Sequence, residues 1–323
     1  MNRFLKEKNN IEIDIEKDWT NKPIISFNNL TKDYGNHRGI FNLTLDINKG
    51  ETFGYVGTNG SGKTTTIRQI MGFLKPTDGS VSVLGMNSWQ NSMQIKRYIG
   101  YVPGEIAYPG VKTGDDFLKI QAAFWGVKDM SYVNSIINRL QLDTAANLKR
   151  MSKGMKQKTA IAAALMNDPP ILILDEPTTG LDPLMRESFI DIIMEEKKRG
   201  KTIFMSSHIF EEIETACDRV GLLKDGELID TTSLSAIKNN NIKTYKISFI
   251  EKKDYLEFSK LNFKYEKLLP EKNTVIINIR NEEIHSLFNA LTAYRVKFIA
   301  EIKYTLEKYF DEIVRNKKGD IND

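Results

Sequence analysis

The chain has 323 residues, 41% hydrophobic and 27% charged, which is ample for a sizeable core and for two domains or one large domain with an appendage. Its formal net charge of +4 is small for this length, favouring anionic surfaces only weakly and not calling for nucleic acid. A single cysteine, Cys217, excludes an intrachain disulfide and suits a reducing cytosol, and no apolar run reaches the roughly 18 residues that a bilayer span needs.

Residues 1–22 mix charges of both signs without an apolar h-region, so they are not a secretory signal. Ile11, Ile13 and Ile15 alternate with acids, which fits either a short edge strand or a tail. Ile24 to Leu30 and Phe41 to Ile47 read as strands joined by a turn at Asp33-Tyr34-Gly35-Asn36, an antiparallel β-layer. Tyr34 at this turn is either an ordinary surface tyrosine or a face on which a nucleobase stacks.

Thr52 to Val56 reads as a strand, and Ile67, Ile70, Met71 and Leu74 as a helix that ends at Pro76. Between them Gly57-Thr58-Asn59-Gly60-Ser61-Gly62-Lys63-Thr64-Thr65 fits G-x-x-x-x-G-K-[ST], the loop that wraps nucleotide phosphates. Glycines let successive backbone N–H groups converge on an anion, and the helix adds the positive end of its dipole. Lys63 is placed to reach the β- and γ-phosphates, and the Thr64 hydroxyl to ligate Mg²⁺.

Ile99 to Val102 is a short strand that leaves at Pro103-Gly104-Glu105. From Thr113 to about Lys149 the pattern is helical, with Phe117, Ile120 and Phe124, then Val133, Ile136, Ile137 and Leu140, and no strand among them. This predicts a helical insert in an α/β body. Ser152-Lys153-Gly154-Met155-Lys156-Gln157 then opens a helix rich in small residues; alone it is an N-cap, in context a second anion site through the Ser152 hydroxyl and the Gly154 backbone.

Ile171 to Leu174 is an unbroken apolar run, as in a parallel strand buried on both faces. It delivers Asp175 and Glu176 to its C-terminal tip, where ligands of open α/β sheets bind. Two adjacent acids there call for a cation: Asp175 to hold Mg²⁺ and Glu176 to act as general base on water. A turn through Gly180-Leu181-Asp182 and a helix from Met185 to about Arg199 follow. A strand at Thr202 to Met205 ends at Ser206-Ser207-His208, and His208 there is read as a phosphate sensor. Cys217 falls in a helical pattern with Ile213 and Ala216, as a buried structural thiol.

Together these residues resemble the nucleotide-binding subunit of ATP-binding cassette (ABC) transporters, over roughly Ile24 to Asp230. By that resemblance the fold is α/β, a P-loop NTPase cassette with an antiparallel β subdomain and a helical insert at about 105–150. Gly57 to Thr65 matches the Walker A loop, Ile171 to Glu176 the Walker B strand with its catalytic glutamate, and Ser152 to Gln157 the signature. Gly180-Leu181-Asp182 resembles the D-loop, which adds Asp182 to the nucleotide residues; His208 resembles the switch histidine and Tyr34 the adenine-stacking aromatic. The sequence departs from the family at Met151 and Lys153, and more seriously at Gly104, where the Mg²⁺-ligating glutamine of the Q-loop belongs. Glu105 or a water is expected to substitute for it.

The resemblance implies ATP and Mg²⁺ as ligands, and a homo- or heterodimer in which Ser152 and Gly154 of one chain complete the other's site. It further implies a separate polytopic transmembrane permease, a place on the cytoplasmic face of the membrane, and no nucleic acid. The lysine-bearing signature leans towards export. Two other readings are a soluble ABC ATPase acting on ribosomes or DNA, and a regulatory ATP-binding protein with weak turnover. Against the first, the chain has one phosphate loop and no sustained heptad run.

The cassette is expected to span 23–235. Beyond the polar linker Lys238 to Asn241, alternation at Tyr245, Ile247 and Phe249 and at Val275, Ile277 and Ile279 predicts strands. Helical spacing at Ile284, Leu287, Phe288 and Leu291, and at Leu306, Tyr309, Phe310 and Ile313, completes a small C-terminal α+β domain over 241–316, with a ferredoxin-like arrangement as one reading, whose bland role is packing or dimer stabilisation.

Overall fold

Alternation of apolar residues builds the first layer. In the computed structural model, which describes residues 22–108, 110–239 and 241–319, β1 (Pro23–Asp33) buries Ile25, Phe27 and Leu30 while Ser26 and Asn28 face outward. The segment read as strand or tail lies outside the described residues, as do Pro109 and Asn240. The described chain forms two units, Met1–Thr231 and Thr232–Asp323.

In the first unit β1 is followed by β2 (Gly39–Asn48), β3 (Thr52–Gly57), β4 (Asp78–Val83), β5 (Met86–Asn87), β6 (Ile99–Val102), β7 (Ile171–Asp175), β8 (Thr202–Ser207), β9 (Arg219–Lys224) and β10 (Glu227–Ser233). An antiparallel sheet has the order β2-β1-β4-β5, and a second sheet the order β10-β9-β3-β8-β7-β6. In that second sheet β3 runs parallel to β8 and β9, and β7 parallel to β6 and β8. Every residue of β3, β7 and β8 is buried, so these strands lie covered on both faces. Between the two sheets Phe27, Leu43, Ile47, Phe53, Tyr55 and Phe204 share one core, into which the helix Lys63–Ile70 inserts Ile67 and Ile70. Each such burial stabilises by about 1.5–3 kcal/mol, so the phosphate loop is anchored by its own helix.

The helical insert holds Gly114–Trp125, opened by a Thr113–Asp116 capping box and closed by Gly126 in the left-handed region, and Ser131–Arg139. Leu118, Ala122, Val133 and Ile136 are its buried face. Ile120 and Phe124, which share the helical spacing, are instead 53% and 75% exposed. The insert is tied to the helix Pro183–Lys198 by the Tyr132 hydroxyl on Glu196 (2.7 Å) and by Arg139–Glu195 (2.6 Å).

The second unit starts at Thr232, and its first helix is Leu234–Lys238. Its strands β11 (Ile242–Phe249), β12 (Lys264–Leu269), β13 (Thr274–Arg280) and β14 (Val296–Ile302) form a sheet in the order β12-β13-β11-β14, with all neighbours antiparallel. Helices Lys252–Phe258 and Ile284–Leu291 intervene after β11 and after β13, a βαββαβ sequence. Their Tyr255, Phe258, Leu287 and Leu291 pack on Tyr245, Ile247, Phe249, Val275 and Ile277.

Candidate active site

Sheet register brings the site residues together. Strand β8 lies between β3, which ends in the phosphate loop, and β7, which ends at Asp175, and pairs Ser206 with Asp175. The tips of three parallel strands therefore converge. The loop itself needs glycine. Gly62 has φ +107°, and a Cβ there would run into the Ile40 side chain; a Cβ on Gly57 would run into the Leu223 carbonyl. Lys63, 5% exposed, donates from Nζ to the carbonyl oxygens of Gly57 (2.8 Å) and Thr58 (3.2 Å), curling back over the loop. Ser61 is buried in the same loop.

A cleft of about 410 Å³ opens at this point. Asn59, Gly60, Lys63, Thr64 and Thr65 form one wall, and Gly104, Glu105, Lys153, Asp175, Glu176 and Thr179 the other. Glu176 Oε1 lies 3.3 Å from Lys63 Nζ, and its Oε2 lies 3.2 Å from His208 Nδ1 and accepts from the Thr179 hydroxyl at 3.4 Å. Its backbone is held at φ +46°, a conformation that costs a residue with a Cβ about 1–2 kcal/mol. The Glu176 N–H offsets this by donating to the Ser206 hydroxyl (3.0 Å) and carbonyl (3.2 Å).

Asp175 is fully buried, and its Oδ1 accepts from the Ser206 hydroxyl at 2.8 Å. Its Oδ2 has no hydrogen-bond partner. Burial raises its carboxyl above the usual range; the Ser206 hydrogen bond and the nearby Thr64 hydroxyl oppose this, the Glu176 charge adds to it, and the Lys63 charge opposes it. A buried carboxylate oxygen without a donor, next to a hydroxyl, is a pair of hard oxygens that fits a divalent cation. Gly104 also bears on it: a Cβ at that position would lie 3.1 Å from Asp175 Oδ2, so a larger residue would crowd this oxygen.

The structure gathers Gly57 to Thr65, Glu105, Asp175, Glu176 and His208, and leaves four expected residues apart. Tyr34 stands at the β1–β2 turn, 57% exposed, with the Lys32 ammonium 5.5 Å from its ring centre. Ser152 caps the helix Lys153–Leu165, accepting from Met155 N–H at 3.2 Å. Asp182 caps Pro183–Lys198, accepting from Met185 N–H at 3.0 Å. Gly154 makes its close approach within its own chain, where a Cβ would meet the Gly180 carbonyl. Met151, a departure from the family pattern, is buried and receives the Thr159 hydroxyl on its sulfur at 3.7 Å. Sequence reasoning passed over Ser206, Thr179 and Lys153 as site residues.

The family model described as ABC transporter matches residues 40–179. The Bacitracin transport ATP-binding protein BcrA of Bacillus licheniformis is 34% identical over 265 residues, covering 81% of this chain and 80% of BcrA. The chain belongs to the ATP-binding subunits of ABC transporters. The Linearmycin resistance ATP-binding protein LnrL of Bacillus subtilis (strain 168) is also 34% identical, over 62% of this chain and 66% of LnrL. Among solved structures, the cassette MJ0796 in a dimeric post-hydrolysis state bound to ADP and Pi superposes with a TM-score of 0.58 at 26% identity, over 65% of this chain and 98% of that one. This ABC subunit thus binds and hydrolyses ATP, and its first unit has the fold of an ABC cassette. No helix among the described residues is long and apolar enough to cross a membrane.

Proposed function

We propose that this ABC subunit hydrolyses MgATP at a site shared between two cassettes and thereby drives export through a separate membrane permease. The observation that carries the reading is the convergence of Lys63, Asp175, Glu176 and His208 on the tip of one glycine loop. Thr64 and Asp175 would hold Mg²⁺, with Glu105 on the facing wall as a further oxygen donor, and the ion would supply charge neutralisation at the phosphates. Lys63 leaves its loop carbonyls to neutralise the phosphates, which frees Glu176 from its ion pair. Glu176, oriented by His208 and Thr179, then takes the proton of the attacking water.

Ser152, Gly154 and Asp182 do not line the cleft of their own chain, which supports their acting on a sister chain's nucleotide. Tyr34, exposed at its turn, is offered to the adenine. Export is supported by the likeness to BcrA and LnrL, whose names concern bacitracin transport and linearmycin resistance. A groove of about 320 Å³ between the insert and the sheet, lined by Phe73, Tyr101, Ile106, Tyr108, Phe117 and Trp125, supports docking of an apolar segment of the permease, and would place the subunit on the cytoplasmic face of the membrane. The βαββαβ order of the second unit supports a ferredoxin-like accessory domain. The test is a Mg²⁺-dependent ATPase assay together with co-purification of a polytopic membrane protein. Lys63→Ala should abolish turnover and Trp125→Asp, on the groove lining, should abolish co-purification; turnover surviving Lys63→Ala would refute the site.

A further inference from the structure

The sheet of the second unit ends in two unlike edges. β12 and β14 are its outer strands, and among the described residues no further strand pairs with either. β12 has a register shift between Tyr265 and Lys267 and exposes Lys264, Glu266 and Lys267, features that blunt an edge. β14 pairs with β11 in unbroken register from Phe298 to Ile302 and exposes every residue from Lys297 to Glu301. Phe298 and Ile299 are among these. A regular edge with two large apolar side chains in the open is a template for another strand.

The order of side chains along β14 says which strand fits. Ile299 stands opposite Ile247, which packs against the helices, so Lys297, Ile299 and Glu301 share the helix-bearing face. Phe298 and Ala300 occupy the other face, where Lys246 Nζ lies 5.7 Å from the Phe298 ring centre. Pairing β14 antiparallel with its own copy about Ile299 sets Lys297 against the partner's Glu301 and Phe298 against the partner's Ala300. By symmetry each match occurs twice, opposite charge on opposite charge and large side chain on small. Centring the pair on Phe298 or Ala300 instead would set Lys297 against the partner's Ile299 or the partner's Lys303. Within the chain Lys243 Nζ lies 3.6 Å from Glu301 Oε1, which leaves the second carboxylate oxygen for the partner's Lys297. We propose that β14 is a homodimer contact, joining the sheets of two copies of this chain into one. The contact needs no nucleotide, so it stands apart from the ATP-driven pairing of cassettes. Seven residues a side fall short of the roughly 20–30 of a standard interface, so the dimer is a micromolar one.

The experiment is sedimentation equilibrium of the nucleotide-free full chain over about 1–200 µM, a range that brackets a micromolar Kd. The wild-type chain should dimerise. Lys297→Glu and Glu301→Lys should each weaken self-association about tenfold, since each sets like charges against one another twice. An equal mixture of the two variants should dimerise again, because both cross-strand pairs of the mixed dimer are then of opposite charge. A wild-type chain that stays monomeric, single variants within about twofold of wild type, or a mixture no better than its components would each overturn the contact. MgATP-driven pairing of the Glu176→Gln chain, measured alongside, tests the shared nucleotide site separately. Its failure with the nucleotide-free dimer intact would refute that reading and leave the β14 contact standing.

Discussion

Ser206→Ala tests how the two acids are held. The Ser206 hydroxyl is fully buried, donates to Asp175 Oδ1 at 2.8 Å and accepts from Glu176 N–H at 3.0 Å. The Glu176 N–H keeps the Ser206 carbonyl at 3.2 Å, so the alanine loses chiefly the bond to the carboxylate. A hydrogen bond to a charged group contributes about 1.5–3 kcal/mol, and Asp175 Oδ2 already lacks a partner that could compensate. The expected destabilisation of the nucleotide-free first unit is therefore about 2 kcal/mol, or about 4–8 °C in Tm at this size. In an Asp175→Asn background the acceptor is uncharged, and the same substitution should cost about 1 kcal/mol, a coupling of about 1 kcal/mol. Urea denaturation followed by tryptophan fluorescence reads this, since Trp89 and Trp125 both lie in the first unit. A cost under about 0.5 kcal/mol, or the same cost in both backgrounds, would refute the assigned bond.

Three further outcomes are expected. Gly62→Ala should abolish nucleotide binding in an equilibrium assay, because φ +107° and the Ile40 side chain both exclude a Cβ; ATP affinity close to wild type would contradict the loop geometry. Glu176→Gln should lower turnover by about 10²–10⁴-fold while ATP still binds, the loss expected of a general base, and unchanged hydrolysis would remove Glu176 from that role. Cys217 is buried and burial raises its thiol pKa far above the ordinary range, so alkylation at pH 8 should proceed only as fast as the unit opens. Prompt labelling in native buffer would mean that the Ile213–Cys217 packing is wrong.

The phosphate loop and the acid pair were legible because their chemistry is local: Gly57 to Thr65 and Ile171 to Glu176 each carry strand, turn and functional group within a few residues. Ser206 was not, since only the parallel register of β7 with β8 places it opposite Asp175, and a register across that separation leaves no local pattern. Two strands of the second unit escaped for another reason. In β12 Lys264, Glu266, Lys267 and Leu268 are all exposed, and in β14 five consecutive residues are, so edge position suppresses the alternation that reveals a strand. The spacing of Ile120 and Phe124 correctly indicated a helix, yet helical period cannot say whether an apolar face meets its own core or solvent. Gly154 carries a similar lesson. Its lack of a side chain reads as a close backbone approach, but the sequence does not show that the side a Cβ would occupy faces the Gly180 carbonyl of its own chain.

That packing also decides how the shared site should be tested, because altering Gly154 would disturb its own chain. The direct measurement mixes two inactive chains, Glu176→Gln and Ser152→Ala, and reads MgATP hydrolysis. If each cleft is completed by its sister, the mixed pair contains one site with both halves intact. Activity should then return to about a quarter of wild type at equal ratio, since random pairing makes half the dimers mixed and each has one good site of two. A mixture no more active than the average of the separate variants would contradict a site built from two chains.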